Sequence, residues 1–484
     1  MNTQFDAIFV GSGIGSLICA NYLSKAGLKV LIIEKHDKPG GYCTSFERKG
    51  YKFDIGVHYL GGIKRGILGK TLRELQMDES LEFSQADPTD KIIFPDNTTY
   101  IRACPKNTLT EFQKSFPKER KNLEKFFGFI LQEQLFNIYK KVKGQVFQET
   151  LDYFFRDPNL KSVLGGLSSN IALSPKKAAA ISAIILFREY VLDSGYYPKG
   201  GIQTLPNMLV KKLKERGGEI IFSRKVVKII TTNKIKKVIL DTSDEIASNI
   251  IISNADVSMT FGDLIDVKTK ELNTINKLTP SPSMFLVYLG LKENAHNEIA
   301  ERINTCYFAT YDIEKVYSRI YSQQYNILNA DLDYFFCCFP SAHDISLSNT
   351  NRPTMQLFIY SPYISKKFWD ENKIEVGNRI IKKSEKVFYD LRNLIDVKIF
   401  ATPHTFHRYT LNKNGAVLGW VSTLNQIKSN IIPQRTSIDG IYLVGHWTTT
   451  GSSGQGGIPN VAFSGRRCAR LILEDLGKHW PFGK

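Results

Sequence analysis

The first 34 residues constrain this chain more than any other segment. Phe5-Asp6-Ala7-Ile8-Phe9-Val10 is a short apolar run of the kind that forms a buried strand. It passes into Gly11-Ser12-Gly13-Ile14-Gly15-Ser16, after which Leu17, Ile18, Ala20 and Leu23 continue at helical spacing toward Ala26. Gly27 is a natural stop for that helix. Leu28 to Ile33 reads as a second strand ending at Glu34. Strand, glycine turn, helix, strand and terminal acid together form the dinucleotide fingerprint in its proper context. Gly11 permits the tight turn and Gly13 lets the backbone approach a pyrophosphate. The helix N-terminus, with Ile14 and Gly15, offers free N–H groups to phosphates. Ser16 takes the third small position, where glycine is usual, and Glu34 is placed to accept from a ribose diol. The expected fold class is α/β, with a Rossmann-like domain.

Glu34 leads into Lys35-His36-Asp37-Lys38-Pro39-Gly40-Gly41. Here the sequence resembles the FAD enzymes that include amine oxidases and phytoene desaturases, in which a glycine pair soon after the acid approaches the flavin nucleotide. The resemblance implies FAD as cofactor, with Lys35, Gly40 and Gly41 beside it. Phe53-Asp54-Ile55-Gly56-Val57-His58 resembles the F-D-x-G-x-H segment of carotenoid isomerases and retinol saturases, and Tyr197-Pro198-Lys199-Gly200-Gly201 their Y-P-x-G-G segment. Gly454-Gln455-Gly456-Gly457 and Val461-Ala462-Phe463-Ser464-Gly465 are similar to the carotenoid isomerase ending. These matches imply that Val226 or Val227 presents its backbone to the adenine, and that Gly445, Gly456, Gly457 and Ile458 border the flavin ring. His446 stands where many relatives carry an acid.

The implied architecture is a discontinuous FAD-binding domain of the GR2 type (1–65, 195–262 and 415–484) with an inserted α+β substrate domain (66–194 and 263–414). Phe335, Phe336, Phe339, Phe358, Tyr360, Phe368 and Trp369 are available as walls for a conjugated substrate, which offers dispersion contact and few hydrogen bonds. The implied activity is FAD-dependent oxidoreduction or isomerisation at carbon–carbon double bonds of a carotenoid, retinoid or similar polyene. A desaturase, a saturase and an isomerase share one such site. Flavin amine oxidation and a non-catalytic lipid-binding protein of the Rab GDP-dissociation-inhibitor type are the alternatives. His58 and Tyr59 are the first catalytic candidates, followed by His404 and His407. The expected number of metal sites is none, because no ligand spacing is legible. A single dinucleotide motif leaves the electron donor or acceptor unidentified.

The formal charge is +17, from 64 Lys and Arg against 47 Asp and Glu, without a nucleic-acid-binding module. Attraction to an anionic membrane is the specific reading of that excess. Residues 118–143 are expected to form largely one amphipathic helix, with Leu123, Phe126, Phe127, Ile130, Ile138 and Val142 on its apolar side and lysines flanking it, suited either to a membrane interface or to packing against the substrate domain. No apolar run is long enough to span a bilayer. Asp6 interrupts the first apolar stretch, which argues against a signal peptide. Seven cysteines without a repeating spacing suit a reducing compartment. A cytoplasmic protein with peripheral membrane contact is expected.

Overall fold

In a computed structural model of the chain, the described residues are 5–231, 235–265, 267, 269–322, 325–344, 347, 352–427, 432–448 and 457–483, with backbone alone at 168, 169 and 190–192. The strands in the first 200 residues are β1 (Phe5–Val10), β2 (Val30–Ile33), β3 (Ser45–Arg48), β4 (Tyr51–Asp54), β5 (Phe83–Gln85), β6 (Asp90–Phe94), β7 (Asn97–Ile101) and β8 (Tyr196–Pro198). Then come β9 (Glu219–Ile221), β10 (Val226–Ile230), β11 (Lys236–Leu240), β12 (Glu245–Ser253) and β13 (Ser283–Leu291). The last are β14 (Asn304–Phe308), β15 (Tyr334–Cys338), β16 (Thr354–Ser361), β17 (Ile395–Ala401) and β18 (Ile441–Leu443). The helices that matter below are α1 (Ile14–Lys25), α2 (Ile67–Glu74), α3 (Arg120–Gln132), α4 (Leu135–Val142), α5 (Ala180–Asp193), α6 (Thr204–Glu215), α7 (Pro403–Thr410) and α8 (Ile458–Asp475).

Two seven-stranded sheets organise the chain. In the first, β9, β2, β1, β12 and β18 run parallel, and β10 and β11 extend the β12 edge antiparallel. Chain order reverses between β1 and β12, the topological switch point at which open α/β sheets bind their ligands. β1 from Ala7 onward and β2 are unbroken apolar runs because both faces are covered: α1, packed between α6 and α8, lies on one, and a core with Val226, Phe261, Trp420 and Trp447 lies on the other. The second sheet has the order β17-β13-β16-β15-β14-β6-β7 and is antiparallel except at the β6–β14 pair. It is the floor of the substrate domain.

Core packing crosses two of the expected domain boundaries, and one expected segment packs elsewhere. Leu68, Leu72, Leu75, Met77 and Leu81 belong to the core around α1 and α8, so the FAD-binding domain continues past residue 65. Arg466 on α8 holds the Glu74 carboxylate with two bonds of 2.8 and 2.9 Å, which fixes α2 there. Leu264, Ile265 and Ile275 also pack with this domain, beyond the boundary expected at 262. Tyr51 and Phe53, expected within it, pack with the substrate domain instead.

The expected single helix over 118–143 is two helices. Glu133 and Gln134 are extended (ψ 144° and 141°), and Arg188 of α5 donates to the carbonyls of Ile130 (2.8 Å) and Glu133 (2.7 Å). That guanidinium takes up carbonyls the helix end would otherwise leave unpaired. Of the two uses open to the apolar face, internal packing is the one found: Leu123, Phe126, Phe127, Ile130, Ile138 and Val142 are all buried in the substrate-domain core. No helix among the described residues is long and apolar enough to cross a membrane.

Candidate active site

A cavity of about 670 Å³ opens at the switch point and runs into the substrate domain. Its polar end is walled by Gly11, Ser12, Gly13, Ile14, Glu34 and Lys35. A Cβ on Gly13 would come 2.3 Å from the Asn254 amide, so a side chain here would displace that amide. Gly40 holds φ at +121°, and its N–H donates to the Ser12 carbonyl at 3.0 Å. The glycine pair at 40–41 is thereby laid against the fingerprint turn, and both its members line the cavity. Glu34 accepts from the Ser12 N–H and hydroxyl through Oε2, both at 2.7 Å, and from the His36 N–H through Oε1 at 2.8 Å. A carboxylate has about four acceptor positions, so capacity remains for a diol. Lys35 lies beside it, its ammonium pKa lowered by burial.

Sequence left Val226 and Val227 equivalent; the structure separates them. Val226 is buried and lines the cavity, whereas Val227 is 41% exposed and does not. Gly15 and Ser16 lie behind the turn. Gly15 is pressed against the Gly445 backbone, where a Cβ would come within 3.0 Å, and Ser16 is wholly buried. Gly15 and Gly445 thus let α1 approach the end of β18, and neither they nor Ser16 line the cavity.

Asn254 was missed by sequence reasoning. It follows β12, across from the turn that follows β1. With its amide oriented to satisfy both neighbours, its oxygen accepts from the Gly13 N–H and its nitrogen donates to the Val444 carbonyl, each at 3.0 Å. One side chain thus fixes the fingerprint turn to the C-terminal strand. The signal in the sequence was a polar residue at the end of a strand, without an indication of which turn it would meet.

At the C-terminal side, Gly457 and Ile458 line the cavity at the start of α8, while Gly456 lies outside the described residues. The helix start presents N–H groups and the positive end of its dipole there. His446 also lines the cavity. Burial lowers its pKa to about 4, and its ring stacks on Tyr42 with centroids 6.1 Å apart.

The inner chamber is aromatic and aliphatic, with Ile185 and Leu186 from α5, Met284 and Tyr288 from β13, Phe358 and Tyr360 from β16, and Ile399 from β17. Phe335, Phe339 and Trp369 are instead buried in the core and do not line it. His58 and Tyr59 both face the cavity. Burial lowers the His58 pKa to about 4 against the opposing effect of a hydrogen bond to the Gly56 backbone, and its Nδ1 is buried without a partner. The Tyr59 hydroxyl donates to Asp90 at 3.1 Å. His404 and His407 do not line the cavity. Both are on α7, which turns Thr405, Phe406, Tyr409 and Thr410 inward; His404 is 3.4 Å from the Tyr363 hydroxyl, and His407 Nδ1 is 2.8 Å from the Asn412 carbonyl.

The glycine cradle, the acid at the end of β2 and the helix start at Gly457 fit a flavin dinucleotide. The family model described as flavin containing amine oxidoreductase matches residues 17–473. Chloroplastic prolycopene isomerase of Daucus carota is 27% identical, over 98% of this chain and 81% of its own length. All-trans-retinol 13,14-reductase of Danio rerio is 21% identical, over 91% of this chain and 82% of its own. Among solved structures, an oxidoreductase from Methanosarcina mazei aligns with a TM-score of 0.69 at 16% identity, covering 97% of this chain and 100% of that one. Putrescine oxidase follows with 0.66 at 13% identity (97% and 99%), and a Rab GDI from Plasmodium falciparum with 0.57 at 12% (98% and 99%). The match over residues 17–473 and the geometry of the cradle give one conclusion: the chain belongs to the flavin containing amine oxidoreductase family, and its cofactor is FAD.

Proposed function

We propose that this flavoenzyme acts on carbon–carbon double bonds of a polyene lipid. The observation that carries the reading is the single cavity joining the glycine cradle to an apolar, aromatic chamber. A hydrocarbon chain drawn into that chamber is held by dispersion and desolvation, with few polar groups to fix it. The fold alone does not discriminate, since putrescine oxidase and a Rab GDI share it. Both relatives named above are matched over nine-tenths or more of this chain and are named for a carotenoid and a retinoid, and this favours the polyene reading.

In this reading Gly11, Gly13, Ile14, Lys35, Gly40 and Gly41 hold the dinucleotide, Glu34 the ribose, Val226 the adenine, and Gly457 and Ile458 the ring. FAD supplies hydride or electron transfer when bound. The chain's own groups bind, orient and exclude water. Tyr288, Phe358 and Tyr360 align the conjugated chain. His58 is the catalytic candidate: a neutral imidazole whose free Nδ1 can accept or hold a proton beside the substrate.

A hydrophobic substrate is collected from a membrane, and α4 is the contact we assign. Leu135 and Phe136 are 43% and 63% exposed there, with Lys140 4.4 Å above the Phe136 ring. α4 packs on α5, which lines the cavity.

Anaerobic incubation of flavin-loaded protein with several polyenes, followed by chromatography and mass measurement, tests the activity. Unchanged mass with altered retention means isomerisation. Loss of two hydrogens means desaturation and gain of two means saturation. If every polyene is recovered unaltered under both oxidised and reduced conditions, the reading fails.

A further inference from the structure

Beyond the main cavity is a second, smaller one of about 40 Å³. His58, Tyr59 and Phe358 line both, so the small cavity adjoins the large one at its inner wall. It is unlike the chamber it adjoins. Asn304, at the start of β14, lines it and is 2% exposed, and neither its amide nitrogen nor its amide oxygen has a hydrogen-bond partner. Asp90, at the start of β6, is its register neighbour across the parallel pair and lines the same cavity. An amide offers two donors and two acceptor positions, and burying them unmet is costly. Such an unmet group at the inner wall of a ligand cavity is a place where a ligand supplies the missing partner.

We propose that this small cavity is a hydroxyl-binding subsite formed by Asn304 and Asp90, and that the polyene accepted here carries a terminal alcohol. The proposal rests on the polyene reading and specifies its substrate class. A hydroxyl both donates and accepts, so it answers the nitrogen and the oxygen of one amide together. A carbonyl end only accepts and leaves the amide oxygen unmet. A carboxylate end likewise only accepts and leaves the amide oxygen unmet, and a hydrocarbon end meets neither atom. Burial pushes the Asp90 carboxyl up to about 7, against the hydrogen bond from Tyr59, so near neutrality it is partly protonated and able to donate as well as accept. The volume exceeds the roughly 10–15 Å³ that one water requires, leaving room for a hydroxyl and its carbon.

The test compares two probes on the full-length, flavin-loaded protein: all-trans-retinol, and its deoxygenated analogue in which a methyl replaces the terminal CH2OH. Binding is read by quenching of protein fluorescence, independently of turnover. The alcohol is expected to bind at least about tenfold more tightly. Asn304→Leu should bring the two within about twofold by weakening the alcohol alone, and Asp90→Asn should fall between. Equal affinity of the two probes for the unaltered protein overturns the subsite while leaving the polyene reading intact, as does an Asn304→Leu protein that weakens both alike. The first of these needs no variant to fold. Binding of neither probe overturns the polyene reading, and the subsite with it.

Discussion

Tyr197 donates its hydroxyl hydrogen to Asp54, and both side chains are buried. The pair joins β8 to the end of β4, two segments separated by 143 residues in the chain. Asp54 also accepts from the Ser45 hydroxyl at 2.7 Å, and Ser45 lines the cavity. One carboxyl therefore fixes the loop after the glycine pair to the Y-P-x-G-G segment. Tyr197→Phe removes the hydroxyl donor without changing the ring. We expect it to destabilise the protein by about 1–3 kcal/mol, read from denaturant midpoints.

Burial raises the Asp54 carboxyl to about 6, against the hydrogen bonds from Tyr197 and Ser45, which lower it. The folded chain therefore binds this proton more tightly than the unfolded chain, where a carboxyl has an ordinary value of 3.8. The resulting stability is fully present below the unfolded value and is lost as pH rises to about 6. Asp54→Asn abolishes that loss. The variant should therefore gain stability relative to the parent on going from about pH 4 to about pH 7, by an amount on the order of 2–3 kcal/mol. A difference that stays constant over this range would mean that Asp54 titrates normally.

Asn254→Ala leaves the Gly13 N–H and the Val444 carbonyl without their shared partner. FAD affinity should fall about tenfold, measured by retention of visible flavin absorbance during dilution and by direct titration of stripped protein. Gly13→Ala should give a larger loss, because its Cβ collides with the same amide.

His58→Ala should retain flavin and lower the turnover of a polyene by roughly 100-fold or more, the range of a positioned proton donor or acceptor. Because burial keeps this imidazole neutral down to about pH 4, activity limited by His58 should be level from about pH 6 to 8 and decline only on approach to that value. A rate that changes across a pKa near 6.5 would point to another histidine.

Leu135→Asp combined with Phe136→Asp should abolish co-flotation with phosphatidylserine vesicles and leave thermal stability within about 0.5 kcal/mol, since both side chains are substantially exposed. Equal flotation of parent and variant would remove α4 as the contact.

The elements legible in the sequence were those specified locally. β1, the Gly11–Gly13 turn, α1 and β2 occupy one contiguous stretch, so spacing alone places them. α8 was readable for the same reason. The break at Glu133 and Gln134 was not, because apolar spacing continues through it and the cause is Arg188, on another helix. Asn254 and the Asp90–Asn304 pair were hidden for a related reason. Each acquires its meaning from which strand lies beside it, and Asp90 meets Asn304 only through the register of two strands from distant parts of the chain. His404 and His407 looked promising as a cluster, yet the rotation of α7 turns their neighbours inward. Val226 and Val227 show the same limit on a strand, where alternation is certain but its phase is set by the fold.

Ile251 of β12 pairs with Ile8 on one side and with Ile441 on the other. During synthesis the two strands that flank β12 therefore emerge far apart in time. The substrate domain has all its strands once residue 401 has emerged, while the sheet begun at residue 5 still lacks its final member. The sheet that holds β1 is completed after the other, and the Ile251–Ser253 stretch of β12, beyond its pairing with β11, stays open for about 190 residues of further translation.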